Sequence, residues 1–555
     1  MPDDLTPPSL PPIGRRDFLR AGALGGAAAL AGGCAPASTA APPPATPASV
    51  PASIAPFELE EVTVAELQEG MRSGRWTAHS ITEAYLGRIE QIDRSGPTVS
   101  SILETNPEAL EIAARLDAER AAGRVRGPLH GVPIVLKDNI DTADRMHTSA
   151  GSLALADWIP PDDAFLVRRL REAGAVILAK ANLSEWANFR SSHSSSGWSG
   201  RGGQTRNPYA LDRNPCGSSS GSGAAVSANL TSLALGTETD GSVVCPSSAC
   251  GVVGIKPTVG LISRDGIIPI SHSQDTAGPM CRSVTDAALL LGALAGVDPN
   301  DAATAASRGN ARTDYTAGLT PDGLRGARLG VARNFFGFDP AVDAIMEESL
   351  RAMREAGAEI IDPTEFSSKE SYGGSEFTVL LYEFKADLNT YLSDVSAGMP
   401  RSLAELIEFN QEHREREMPY FGQDIFVQAQ EKGSLTEQEY RDALAKNQRL
   451  SRTEGVDAVL KEHRLDAILA PTGGPAWLTD LVVGDHFGGG SSRPAVVAGY
   501  PSVTVPAGYV FGLPVGISFI GTAWSEPALL KFAYAFEQAT RVRRAPRFLP
   551  TVELT

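Results

Sequence analysis

Beyond residue 57 the chain alternates between short apolar runs and segments with helical periodicity. Residues 132–136 (VPIVL) and 175–178 are continuous apolar runs, and residues 162–173 between them have the pattern of a helix. Strands that are apolar along their whole length are typical of parallel sheets with helices on both faces. The pattern therefore predicts an α/β fold built on a mixed, largely parallel central sheet.

The same alternation returns in the second half of the chain. Further apolar runs predict strands at 328–332, 465–469, 503–506 and 515–520. Residues from about 376 to 463 are mostly helical and more polar, which predicts a helical insertion laid across the sheet. Because no internal repeat or change of composition divides residues 58–545, we expect one large three-layer α/β/α domain, followed by a tail at 546–555.

Two helices are predicted before the first strand. Thr63 and Glu66 have the spacing of a capping box, which marks the start of a helix. A second helix is indicated by apolar residues at helical spacing, namely Ile81, Tyr85, Leu86, Ile89 and Ile92.

The first 57 residues carry no pattern of a packed domain. Residues 1–34 combine the run RRDFLR with a weakly apolar stretch, the layout of a twin-arginine export signal, and residues 35–57 predict a Pro/Ala-rich linker. Cys34 also resembles the cysteine of a lipoprotein cleavage box, although Leu30 stands four positions before it rather than three. We therefore expect an exported, periplasmic or secreted protein, with a lipid anchor at Cys34 as the only expected route to a membrane.

Composition narrows the choice of partners. The chain has 49 Lys and Arg against 66 Asp and Glu, a formal net charge of −17, so a nucleic-acid backbone would be repelled. Its five Cys and eight His form no CxxC or HExxH pattern, so we expect no metal site. The cysteines are also too few for a disulfide framework, and packing is expected to supply the stability.

Three segments carry candidate chemistry. Lys137 follows the apolar run 132–136, and the carboxyl end of a strand in an α/β sheet faces the ligand-binding crevice. Burial lowers the pKa of a lysine and makes a neutral amine available as a base. The run CGSSSGSGAA at 216–225 lacks the lysine of a phosphate-binding loop, and its small residues suit a helix packed closely on a sheet with its N-terminus aimed at a site. In GTETDGS at 236–242, consecutive backbone N–H groups of a tight loop can converge on one oxygen.

Together and in this order, these segments resemble the amidase signature family of serine hydrolases. In that family two catalytic serines of a Ser/Gly-rich block lie 24 residues apart, as Ser218 and Ser242 do here. The family lysine lies upstream in a GVPxxxKDN segment, which is found here at 131–139. The resemblance implies that Ser242 is the nucleophile, Ser218 the bridging serine and Lys137 the base, with no cofactor.

The chemistry that the resemblance implies is the cleavage of carboxamides. Neutral Lys137 would accept a proton from Ser218, which accepts one from Ser242 as its Oγ attacks the amide carbonyl. The resemblance also implies a cis peptide bond between Gly217 and Ser218. The oxyanion would be held by the backbone N–H groups of Thr239, Asp240, Gly241 and Ser242, and the site would be supported by Gly217, Asp138 and Asn139.

Several other segments resemble one subgroup, the bacterial peptide amidases, which remove the C-terminal amide of peptides. They include SEWANFR at 184–190, GGQTRNP at 202–208, LYEFK at 381–385 and GTAWSEP at 521–527. The chain departs from the broad family pattern at Cys216, Asp240 and Val244, and Glu238 thereby lacks the arginine partner that its family position implies. The expected substrate is a peptide amide or another small carboxamide.

Other interpretations stay open at this point. A hydrolase of small aliphatic or aryl amides would use the same catalytic residues. Residues 217–221 also fit the GxSxG elbow of an esterase with Ser219 as nucleophile, and His463 or His486 would then have to serve as the base. A non-enzymatic solute binder is weakened because no pair of similar α/β lobes is evident. An ammonia-transferring amidotransferase relative would need access to charged tRNA, against which export and an acidic surface argue.

Overall fold

An eleven-stranded sheet runs through the protein. The structure is a computed structural model that describes residues 55–366 and 371–554. The expected export signal at 1–34, and the linker apart from residues 55–57, lie outside the described residues. Ser53–Thr555 form one compact unit. In the described part of the chain, no helix is both long and apolar enough to span a bilayer.

The strands follow the predicted apolar runs closely. In chain order they are β1 Ile102–Thr105, β2 Pro133–Lys137, β3 Val176–Ala181, β4 Trp198–Ser199, β5 Gly203–Gln204, β6 Leu233–Glu238, β7 Val253–Lys256, β8 Thr276–Cys281, β9 Arg328–Ala332, β10 Glu359–Thr364, β11 Ala467–Pro471, β12 Ser502–Val510 and β13 Leu513–Ile520. The order across the large sheet is β1-β3-β2-β6-β8-β7-β12-β13-β11-β9-β10, and β4 pairs with β5 in a separate hairpin.

The sheet is mixed, as expected, but it is less parallel than the prediction of a largely parallel sheet: its parallel strands lie in two separate blocks, and most pairings are antiparallel. β3, β2 and β6 are parallel to one another, and so are β11, β9 and β10. The remaining pairings are antiparallel. For example, β12 and β13 are joined by a tight turn at Phe511 and Gly512, and so short a turn can connect only antiparallel strands. An apolar run predicts a buried strand in either arrangement. The sequence pattern therefore did not reveal that the strands between the two parallel blocks pair in an antiparallel way.

Both faces of the sheet are covered. Every residue of β2, β3, β6, β8, β11 and β13 is buried. Since successive side chains of a strand point to opposite faces, this burial requires a layer on each side. The predicted α/β fold class is confirmed.

The helices complete the layers. They are α1 Val64–Ser73, α2 Ala78–Arg88, α3 Ala109–Ala121, α4 Phe165–Glu172, α5 Ser220–Ser227, α6 Val244–Ala249, α7 Val284–Leu294, α8 Pro340–Glu355, α9 Gly373–Leu392, α10 Leu403–Glu412, α11 Arg414–Glu417, α12 Asp424–Gln430, α13 Gln438–Gln448, α14 Asp457–His463, α15 Arg493–Ala498 and α16 Glu526–Thr540. The predicted capping box forms at the start of α1, where the Thr63 side chain accepts from Glu66 N.

The polar segment predicted at about 376–463 is helical and comprises α9 to α14. Phe384 of α9 stacks on Phe426 of α12, with ring centroids 5.3 Å apart. Both rings belong to an apolar cluster that also contains Trp186, which follows β3 in the chain. The insertion is therefore anchored near the carboxyl end of β3.

Candidate active site

Lys137 ends β2 in a fully buried position. Its Nζ donates hydrogen bonds to Ser218 Oγ (2.8 Å), to Thr237 Oγ1 (2.9 Å) and to the Thr237 carbonyl (3.2 Å). Burial lowers the pKa of Lys137 to about 7, and the negative charges of Asp275 and Glu238 oppose this shift only in part. The neutral amine is therefore accessible near neutral pH and can accept a proton from Ser218.

The loop before α5 presents Ser218 to this amine. The Gly217–Ser218 peptide bond is cis, as the resemblance implies. A Cβ at residue 217 would collide with Ser184 Oγ, so the loop requires glycine there. The Ser218 carbonyl accepts a hydrogen bond from Ser184 N (3.0 Å), which holds the serine against the end of β3.

Ser242 lies in the loop between β6 and α6 and is 8% exposed. Gly241 before it has a φ of 78°, a conformation that favours glycine. The Ser242 carbonyl accepts a hydrogen bond from Ser219 N (3.1 Å). This contact ties the Ser242 loop to the residue that follows Ser218, so the structure brings the three predicted triad residues into one region.

The same loop offers consecutive free donors. Within residues 55–366 and 371–554, the backbone N–H groups of 239–242 have no hydrogen-bond acceptor. The next two, of Val243 and Val244, donate to Glu238 Oε2 at 2.7 and 2.9 Å. Glu238 is buried, and burial raises the pKa of its carboxyl. The backbone N–H groups of Val243 and Val244 thus bind the Glu238 carboxylate in place of the missing arginine. These bonds hold the loop at the start of α6.

Asp138 and Asn139 support the site from the segment after β2. The Asp138 carboxylate accepts hydrogen bonds from the backbone N–H groups of Ser149 and Gly151, both at 3.2 Å, and from the Ser149 hydroxyl. Asn139 Nδ2 donates to Thr237 Oγ1 at 3.0 Å. Asp138 therefore anchors the adjoining loop, whereas Asn139 reaches the partner of the lysine.

Thr237 is a residue whose importance the sequence did not reveal. Its hydroxyl contacts both Lys137 and Asn139, and its carbonyl accepts from Ser219 Oγ at 3.1 Å. Its only sequence signal is a polar side chain inside an apolar strand. Which groups it would meet depends on the neighbouring strand β2, which lies about a hundred residues earlier.

A disulfide connects the loop that carries Ser218 to the first turn of α6, which follows the Ser242 loop. Cys216 and Cys245 are bonded, with their Cα atoms 6.0 Å apart. Cys216 precedes Gly217 directly, and Cys245 lies three positions after Ser242. The expectation that packing alone stabilises the fold is therefore incomplete. The sequence did not reveal this disulfide, because Cys216 and Cys245 meet only in the folded protein.

Two cavities flank the Ser242 loop. The larger one, of about 360 Å³, is lined in part by Asn139, Thr239 and Tyr391. The smaller one, of about 210 Å³, is lined in part by Gly217 and Gly241. Neighbouring residues of one loop, Thr239 and Gly241, thus line two spaces that a substrate could occupy.

One group in the described part of the chain could hold a cation. Ligand atoms of His272, Glu383 and Asp387 lie within 4.8 Å of one another. The two ring nitrogens of His272 face different carboxylates, Nδ1 towards Asp387 at 2.8 Å and Nε2 towards Glu383 at 3.3 Å. The hydrogen bond to Asp387 raises the pKa of His272, which favours a protonated ring between these two carboxylates.

The esterase arrangement is not formed around Ser219. Its fully buried hydroxyl is engaged with the backbone carbonyl and N–H of Thr237, both at 3.1 Å. Residues 212–216 before it do not form the strand that a nucleophile elbow needs. His463 ends α14 and His486 faces Asp480.

Known proteins similar to this chain match it over most of its length. The sequence profile described as Amidase matches residues 80–530. A protein named probable amidase from Arabidopsis thaliana is 42% identical over 502 residues, which are 89% of this chain and 93% of that protein. The X-ray structure of native peptide amidase from Stenotrophomonas maltophilia is 54% identical with a TM-score of 0.85, covering 89% of this chain and 100% of that one. A peptide amidase in complex with the competitive inhibitor chymostatin is also 54% identical, with a TM-score of 0.86, covering 88% of this chain and 100% of that one.

Proposed function

The chain belongs to the amidase family and hydrolyses amides, and we propose that its reaction is removal of the C-terminal amide of peptides as ammonia. The observation that carries the mechanism is the hydrogen bond from buried Lys137 Nζ to Ser218 Oγ. The substrate class is supported by 54% identity to a structure named peptide amidase.

The proposed reaction uses two hydroxyls in series. Neutral Lys137 accepts a proton from Ser218, which accepts one from Ser242 as the Ser242 Oγ bonds to the amide carbon. The relay then runs backwards, the C–N bond breaks and ammonia leaves with the returned proton. Water attacks the resulting ester by the same relay, which releases the peptide carboxylate and restores Ser242.

The free N–H groups of residues 239–242 are proposed to hold the oxyanion. A preorganised donor of this kind contributes about 3–4 kcal/mol to a transition state. Glu238 serves this role indirectly, because its bonds to Val243 and Val244 fix the end of the loop. Only the backbone N–H of Asp240 is useful here, since its carboxylate would repel an oxyanion.

The space around the site supports a substrate larger than a simple amide. Residues of the Ser242 loop line both the cavity of about 360 Å³ and the one of about 210 Å³. In the described part of the chain, buried Asn139 Oδ1 has no hydrogen-bond partner, and Asn139 lines the larger cavity. We infer that this oxygen accepts a peptide N–H of the substrate, which a small aryl amide lacks.

Three compounds test this function: a peptide amide, the same peptide as free acid, and a small aryl amide. We expect ammonia and the free-acid peptide from the first compound, and no change in the second. Turnover of the aryl amide alone would instead favour a small-amide hydrolase, and cleavage of internal peptide bonds would contradict the proposal.

Serine variants test the relay in the same assay. Ser242→Ala and Ser218→Ala should each lower kcat by at least about a thousandfold, because each removes a member of the relay. Ser219→Ala is the matched control, since it removes the neighbouring hydroxyl and should retain turnover. Loss of activity only in the Ser219 variant would support the esterase arrangement.

A further inference from the structure

The smaller cavity, of about 210 Å³, is lined by chain neighbours of the two serines of the proposed relay. Gly217 and Gly241, which line it, immediately precede Ser218 and Ser242 in the chain. A carbonyl carbon bonded to Ser242 Oγ can therefore direct its carbon substituent towards this cavity. In a peptide amide that substituent is the Cα of the residue that bears the amide, and the side chain of this residue branches from it.

The ionisable side chains that line this cavity are all acidic. Among the described residues that line it, the ionisable side chains are Asp240 and Asp485, and no Lys, Arg or His is present. The nearest guanidinium to Asp240, that of Arg493, lies 3.8 Å away and pairs more closely with Glu376 at 2.9 Å. Asp240 thus shares Arg493 with Glu376, which lies closer to it, and Asp485 forms no ion pair in the described part of the chain.

The remaining wall suits a long side chain with a charged end. Trp477 and Phe487 both line the cavity, and their rings meet edge to face with centroids 5.8 Å apart. Trp477 Nε1 donates to Asp485 Oδ1 at 3.3 Å, and Asp485 also accepts from Ser196 N at 3.0 Å. These bonds hold an aromatic ring beside a carboxylate, an arrangement that attracts a cation and packs against its apolar stem.

Building on the proposed function, we propose that this cavity is the subsite for the side chain of the amide-bearing residue and that Asp240 and Asp485 make it select basic over acidic side chains. A lysine or arginine side chain would lay its methylene groups along the aromatic rings and bring its charge to the carboxylates. A glutamate or aspartate side chain would meet like charges in a partly buried space, where water screens them poorly.

The first test compares three dipeptide amides that differ only in the residue bearing the amide: lysine, norleucine or glutamate. Norleucine matches the lysine stem without its charge. We expect kcat/KM, measured by ammonia release, to be about tenfold higher for lysine than for norleucine and about tenfold lower for glutamate. A glutamate amide that is hydrolysed as well as the norleucine amide would overturn the proposal.

The second test assigns the preference to the cavity. Asp485→Asn should reduce the lysine-to-glutamate ratio of kcat/KM by about tenfold. Asp480→Asn is the matched control, because it removes a charge from the same loop but does not line this cavity, and it should leave the ratio unchanged. A ratio that is unchanged in Asp485→Asn, or equally reduced in both variants, contradicts the assignment.

Two measurements keep the outcome clear if a variant folds poorly or turnover fails. Asp240→Asn is a second variant, since a ratio of two substrates within one variant cancels its effect on the chemistry. Binding of the three amides to Ser242→Ala by calorimetry measures the cavity without catalysis. If the unaltered protein releases no ammonia from any of them, the proposed function fails, whereas the order of the three Kd values still supports or refutes the subsite.

Discussion

At the scale of a residue, burial governs the chemistry of Lys137. A lysine in water has a pKa near 10.5 and cannot accept a proton at neutral pH, whereas burial lowers the pKa of Lys137 to about 7. Its three hydrogen bonds, to Ser218 and to Thr237, aim the amine at the hydroxyl from which it would take a proton. The fold therefore converts an ordinary cation into a base within reach of a serine.

This position predicts a pH dependence. The required species is the neutral amine, so kcat for a peptide amide should be low at acid pH, rise through about 7 and level off above it. Lys137→Arg should be inactive throughout, because a guanidinium stays protonated. Initial rates at saturating substrate across the pH range measure the profile, and Ser219→Ala should reproduce the profile of the unaltered protein. A rate that does not change with pH from about 5 to 9 would rule out this base.

At the scale of an element, the active site depends on two loops that enter α5 and α6. The Cys216–Cys245 disulfide joins the first loop to the start of α6, and Ser219 N donates to the Ser242 carbonyl of the second loop. The helices are short, and α5 is built of small, fully buried residues that pack closely on β6. A covalent link at this point restrains the relative positions of the two serines.

Loss of that link should affect stability and rate together. The double variant Cys216→Ala/Cys245→Ala frees a loop with a sequence separation of 29, which in the chain-entropy account lowers the free energy of unfolding by about 3–4 kcal/mol. We also expect a lower kcat, because the loops become free to separate. Urea unfolding and peptide amide turnover measure the two effects.

A control variant separates the bond from the loss of a side chain. Cys250→Ala removes one buried cysteine that forms no disulfide, together with its weak hydrogen bond to the Pro215 carbonyl, so it measures the cost of losing a buried thiol. A loss in the double variant no larger than twice that of Cys250→Ala would mean that the disulfide contributes nothing of its own.

At the scale of the whole molecule, we propose that the twin-arginine route exports the protein. The run RRDFLR at 15–20 carries this proposal, and a disulfide beside the active site supports it, since disulfides persist in oxidising compartments. The double variant Arg15→Lys/Arg16→Lys of the full chain should not be exported. Its amidase activity should therefore be found inside the producing cell. Fractionation of bacterial cells measures this, with Arg20→Lys as the matched control. Export of the double variant at the normal level would contradict the route.

Much of the fold could be predicted because strands and helices depend on residue patterns within short segments. The apolar run at 328–332 is β9 to the residue, and the capping box at Thr63 starts α1. The pairing of the strands could not be predicted in the same way. β12 and β13 were predicted as strands, yet nothing in their composition distinguishes the antiparallel hairpin that they form from parallel neighbours.

The active site, like the fold, could be predicted only in part. The resemblance to the amidase signature family, carried by three short segments in their order along the chain, was sufficient to select Lys137, Ser218 and Ser242 as candidates. The folded chain was needed to bring Thr237 to Lys137, Cys216 to Cys245, and Glu238 to the backbone of Val243 and Val244. These contacts depend on which strands are neighbours and how the loops turn at their ends. An amino-acid pattern within a segment records its own burial and periodicity, but it does not record which distant segment will lie against it.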